Sequence, residues 1–205
     1  MSPDIWLAFA LTSAAIIVVP GPTVALAVSY ALANGRRSGL ATVPGVTLGD
    51  FTAMTASLSG AGAVLAMSGT LFTLLKLAGA VYLIWLGLRL WRAEPATNLP
   101  TQESRPASMR RMFWNAWLVT ALNPKSIVFF VAFVPQFVDP ARPLLQQFVI
   151  LEATFLVLAA ANIAAWASLA GKLQAAFRRP STGRLFNRLG GGFMIGAGLL
   201  VAFRK

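Results

Sequence analysis

Four ionisable side chains stand inside otherwise apolar stretches of this chain: Asp50, Glu152, Lys76 and Lys125. An ionised aspartate at the centre of a membrane helix costs about 2.5–3.5 kcal/mol on insertion scales, so Asp50 must face water, pair with a cation or spend time protonated. Each of these suits a group that takes up and releases a proton. Pro20-Gly21-Pro22 interrupts the first apolar run, and its prolines leave the carbonyls of Ile16 and Val18 without helical donors. Those oxygens can accept from an ammonium. The N–H groups opening the next half-helix, around Val24 and Ala25, can donate to a carboxylate with the help of the helix dipole. Both ends of an amino acid could be met there. Asn123-Pro124-Lys125 makes a second break with a cation beside it, while Lys76 is placed to snorkel to an interface.

The elements that must carry these groups are membrane helices. Of the 205 residues 57% are hydrophobic and 11% charged, and the mean hydropathy is +0.70, above that of a soluble domain. A bilayer core of about 30 Å needs roughly 20 apolar helical residues. Six segments meet or approach that length, at about 5–33, 41–66, 71–91, 113–138, 144–171 and 185–203. The expected fold is an all-α integral membrane protein of six transmembrane helices, the first and fourth broken. The first run exceeds the roughly 7–15 residues of a signal-peptide core and is read as a retained span.

Charge then sets orientation. The 17 Lys+Arg outnumber the 6 Asp+Glu, giving a net +11, and the cations lie mostly between apolar runs, which speaks for topology and against nucleic-acid binding. Arg36 and Arg37 follow the first span; Arg89, Arg92, Arg105, Arg110 and Arg111 the third; Lys172, Arg178, Arg179, Arg184 and Arg188 the fifth. Only Arg142, Arg204 and Lys205 fall on the other side, so the positive-inside rule places both termini outside. Residues 93–112, with Pro95, Pro100 and Pro106, read as a cytoplasmic linker between units 1–92 and 113–205. The chain has 0 Cys and 0 His, which removes thiolate and imidazole metal sites, histidine-activated nucleophiles and dithiol chemistry. With no phosphate-binding glycine loop either, we expect no cofactor, no resident metal and no enzymatic activity.

The two units repeat one another. Pro124 lies 102 residues after Pro22, and Asp50 and Glu152 each follow their proline by 28. The segment 79–87 matches 190–198 at an offset of 111, Gly79 and Gly87 falling on Gly190 and Gly198. Three spans per unit is an odd number, so the second copy must enter from the opposite face. The expectation is two inverted three-helix repeats, a design that puts a binding site at the repeat interface near the midplane. Gly45 and Gly49, four apart on one helix face, let another helix press close to Asp50. Gly79 and Gly87 are assigned to helix packing in the same way.

Pro20-Gly21-Pro22, Gly45-x-x-x-Gly49-Asp50, Lys76-x-x-Gly79-Ala80-x-Tyr82-Leu83 and Asn123-Pro124-Lys125 running on to Pro135-Gln136-Phe137-Val138 resemble, in order and spacing, the LysE/RhtB-type amino-acid exporter family. The resemblance spans nearly the whole chain. It implies a multi-pass exporter of the bacterial inner membrane that moves amino acids or derivatives such as homoserine, threonine, lysine or homoserine lactone by proton antiport. Pro20, Gly21, Pro22, Asp50, Asn123, Pro124, Lys125 and Glu152 are the candidate binding and coupling residues. The expected partners are the amino acid, protons and lipid, with a homo-oligomer left open. Two rivals are a divalent-cation exporter, short of ligands without His or Cys, and an intramembrane aspartyl hydrolase, which would need a second Asp where only Glu152 stands.

Overall fold

Every helix boundary near the two breaks follows from local chemistry. The computed structural model describes the backbone of residues 1–19, 21–67, 69–92, 107–139, 141–177 and 180–203. Helix α1 (Pro3–Val18) starts where the Ser2 side chain accepts from the Ile5 N–H at 3.4 Å. It ends as Val19 turns extended. Helix α2 (Pro22–Asn34) restarts with proline at its first position, where an N–H would have no partner, and stops at Gly35, whose φ of +73° favours glycine. A 3-10 turn (Arg36–Ser38) leads into α3 (Gly39–Met67). Pro44 sits inside α3 near its start, forfeiting one bond to the Leu40 carbonyl without ending the helix.

Helix α4 (Gly69–Arg92) precedes the second break, which lies between α5 (Met109–Ala121) and α6 (Pro124–Val128). Asn123 caps α6 by accepting the Lys125 N–H at 3.1 Å. The chain then widens into a π turn (Phe129–Phe133) and tightens into a 3-10 turn (Val134–Phe137). Helices α7 (Leu144–Phe177) and α8 (Pro180–Phe203) complete a fold that is all-helical among the described residues. Among the described residues, Leu144–Ala170 is long and apolar enough to cross a membrane alone. Two bent pairs qualify together: α1 with α2 at 55°, and α5 with Pro124–Phe137 at 42°. These pairs fall where the sequence breaks were read, and α3, α4 and α8 take up the other three apolar runs.

Three helices differ from the sequence reading. Helix α5 begins at Met109, inside the expected linker 93–112, and helices α7 and α8 extend beyond 144–171 and 185–203, so Arg110 and Arg111 lie on α5, Lys172 lies on α7, and Arg184 and Arg188 occupy the first turns of α8. Polarity ends an apolar run, but a helix stops only at a cap or a proline, and Pro180 supplies the next start. Of the expected linker, 93–106 lie outside the described residues, as do Pro20, Arg178, Arg179, Arg204 and Lys205; so does the side chain of Lys76.

Small residues set the packing, as expected where lipid offers no hydrophobic drive between helices. A Cβ on Gly45 would stand 2.5 Å from the Phe113 carbonyl oxygen, and one on Gly49 2.7 Å from Thr120 Cβ, so α3 rests directly on α5. Gly79 lies against Ala132 of the π turn. Gly87 of α4 meets the Gly191 carbonyl and Ile195 of α8, while Gly198 of α8 meets the Ala80 carbonyl and Ile84 of α4. Two buried clusters flank the centre. One is aromatic, with Phe129 stacked on Phe133 at 5.2 Å and Phe130 edge-on to Phe155 at 4.8 Å. The other is aliphatic, built from α2, α3 and α7 around Val24, Val46 and Ile163.

Candidate functional site

The two breaks are fastened to each other. Val19 leaves α1 as an extended residue, so the last carbonyls of α1 drop out of the helical ladder. The Lys125 ammonium, carried in by the first turn of α6, donates to the Ile16 carbonyl at 3.2 Å and to the Val19 carbonyl at 2.9 Å. The Lys125 side chain passes beside Gly21, where a Cβ would stand 3.5 Å from Nζ, an ordinary van der Waals contact. Asn162 of α7 donates to the Ile17 carbonyl at 3.2 Å. In the reverse direction Thr23, second residue of α2, receives the Asn123 amide and the Thr120 hydroxyl, both at 3.3 Å. The second residue of each later half-helix thus reaches the end of the opposite earlier one.

Between the aromatic and aliphatic clusters lies an open cavity whose empty space, mouth and adjoining solvent included, is about 470 Å³. Asp50, Lys125, Asn123, Thr23, Ser126 and Asn162 supply its polar wall. Phe129, Phe155, Ile163, Val24, Val46 and Ile16 are among its apolar lining. Asp50 follows Gly49, so the close contact of α3 with α5 holds it at this crossing. Its residue surface is 5% exposed, and it makes no hydrogen bond or ion pair among the described residues. Lys125 is near enough to attract it electrostatically. Such an acid offers an unspent acceptor to whatever enters.

The carbonyls freed by the break were expected to wait for an incoming ammonium. In the structure Lys125 already holds Ile16, and the second acceptor is Val19 rather than Val18, because the chain leaves the helix one residue later. The donors also shift. Ala25 N–H is taken by the Gly21 carbonyl at 2.9 Å, leaving Thr23 and Val24 as the N–H groups of α2 that helix geometry does not pair. Gly21, Asp50, Asn123 and Lys125 come together as expected. Pro22 and Pro124 start their half-helices from exposed positions outside the cavity wall. Glu152 also stands apart: half-buried on α7, it accepts the Thr55 hydroxyl at 2.7 Å. Thr23 and Ser126 escaped the sequence reading, although Thr23 lies 102 residues before Lys125 and the repeat could have flagged it. Asn162 both lines the cavity and ties α7 to the end of α1. Among the described residues no group of three or more acids could hold a metal ion.

A family model described as LysE type translocator matches residues 14–205. A homoserine/homoserine lactone efflux protein of Salmonella typhimurium is 34% identical over 202 residues, 98% of each chain. A membrane protein of Vibrio cholerae is 35% identical over 205 residues, covering 100% of both chains. A leucine efflux protein of Klebsiella pneumoniae is 27% identical over 134 residues, 65% of this chain and 63% of its own. No solved structure matches.

Proposed function

Because the chain belongs to the LysE type translocator family, transporters and not enzymes, we propose that it exports small amino acids and close derivatives across the bacterial inner membrane in exchange for protons. The relatives named for efflux of homoserine, homoserine lactone and leucine set the substrate class. The observation that carries the mechanism is Asp50, buried and, among the described residues, without a hydrogen-bond or ion-pair partner in a cavity at the crossing of two broken helices. One carboxylate can neutralise a proton or a substrate ammonium, not both at once. Loading the amine from the cytoplasm expels the proton, and a periplasmic proton expels the amine. Antiport follows from that competition, with no further coupling element.

Six spans in two inverted repeats account for the packing. With offsets of 102 and 111 between halves, α1, α2, α3 and α4 correspond to α5, α6, α7 and α8. The contact of Gly87 with Gly191 and Ile195 then has its counterpart in that of Gly198 with Ala80 and Ile84, each pair related by 111. The same holds in outline for Lys125 and Thr23 at the breaks. A two-fold axis through the α4–α8 crossing leaves the cavity between halves, where rocking one against the other would expose it alternately to each side. The excess of basic residues around the connections after the first, third and fifth spans supports a cytoplasmic position for those connections and a periplasmic one for both termini. A divalent cation suits this cavity poorly, since its one carboxylate shares the space with an ammonium.

Efflux from proteoliposomes tests the reading. Labelled homoserine, threonine, leucine and lysine are loaded with and without an imposed pH gradient, for wild type and Asp50→Asn. Gradient-driven flux of small neutral amino acids that the variant loses is the expected result. Undiminished driven flux in Asp50→Asn overturns the role of Asp50, and no amino-acid flux in wild type overturns the exporter reading.

A further inference from the structure

We infer that Lys125 is the carboxylate anchor of the cavity, so that the substrate lies with its ammonium toward Asp50 and its carboxylate between the Lys125 ammonium and the start of α2. The inference rests on the exporter reading and gives its site a polarity. An ammonium has three donors, and the carbonyls of Ile16 and Val19 engage two of them. Those bonds leave one donor and the full positive charge while fixing where the charge sits. The side chain bordering the cavity rests against Gly21, the residue before α2, which has no side-chain cap of its own. Thr23 and Val24, whose N–H groups helix geometry leaves open, border the same cavity. A lysine charge, two backbone donors and the positive end of a 13-residue helix therefore border the cavity together.

The complementary charge is Asp50 on the same cavity wall, which is 5% exposed and lacks any hydrogen bond among the described residues. An amino-acid head group carries one positive and one negative charge, and this cavity offers one complement to each. The carbonyls of Ile16 and Val19 already face the Lys125 ammonium, whose charge repels a second cation, so the substrate amine is directed to Asp50. The charge count also selects the side chain. Both charges are used by the head group, leaving Phe129, Phe155, Ile163 and Val46 to meet the remainder. A lysine or glutamate side chain would bring an unmatched charge into that apolar wall.

Homoserine and homoserine lactone make the test, since they share the amine and differ by the carboxylate. Equilibrium binding of each labelled compound is measured on the purified full-length protein for wild type, Lys125→Gln and Lys125→Arg. Glutamine keeps two N–H donors for the carbonyls but lacks the charge; arginine keeps the charge. The expected result is that Lys125→Gln weakens homoserine by roughly tenfold or more while weakening the lactone far less, and that Lys125→Arg restores much of the homoserine affinity. Equal weakening of both compounds, or tighter binding of both, overturns the inference and leaves the exporter reading standing. Wild type that binds neither compound overturns both.

Discussion

At the scale of single residues, the site turns on what each charged group already holds. Asp50 holds nothing among the described residues, whereas Glu152 holds the Thr55 hydroxyl and borders no part of the cavity. Coupling should therefore sort between the two acids. Glu152→Gln is expected to keep gradient-driven efflux within about twofold of wild type, since an amide can still accept from Thr55, while Asp50→Asn loses it. Flux assays on the pair check this. Asn123 has a different task, capping α6 through the Lys125 N–H and bonding Thr23. Asn123→Ala should lower stability by about 1–2 kcal/mol, seen as a reduced melting temperature in detergent, because a cap and an interhelical bond go together. Alanine also releases the segment that aims Lys125, so homoserine affinity should fall with it.

At the scale of elements, glycine spacing decides which helices touch. Gly45 and Gly49 admit α5 so closely that a leucine at either position would drive α3 away, at a cost of about 1–3 kcal/mol. Gly49→Leu should in addition displace Asp50 and weaken transport beyond the stability loss, whereas Gly45→Leu, a turn further off, should weaken it less; thermal unfolding and flux on both variants separate the effects. The sequence showed much of this level. Pro-Gly-Pro and Asn-Pro mark their breaks by removing backbone donors, and Gly45-x-x-x-Gly49 marks a packing face, because those effects are local to the residues concerned. It could not show that Lys125 closes on Ile16 and Val19, more than a hundred positions earlier. That pairing exists only after four half-helices cross. The match of Glu152 to Asp50 misled for the same reason: equal spacing gives equivalent places in two repeats, but not the same neighbours. The lengths of α7 and α8 were missed because hydropathy reports the environment of a helix and not its end.

At the scale of the whole molecule, orientation and symmetry carry the testable content. The sequence has 0 Cys, so any cysteine introduced is the one reactive thiol. Ser2→Cys should react in intact cells with a reagent that cannot cross the inner membrane, and Arg36→Cys only after that membrane is opened; the reverse pattern would invert the proposed topology. The α4–α8 crossing has a consequence of another kind. Because Gly87 and Gly198 meet each other's helix through equivalent partners, each half presents to the other a surface that its own copy would also fit. On the inverted-repeat reading proposed above, such a crossing has the form of a dimer interface within one chain. If so, the covalent link is dispensable: residues 1–92 and 107–205, made as separate polypeptides in one cell, should find each other in the bilayer and rebuild a working exporter.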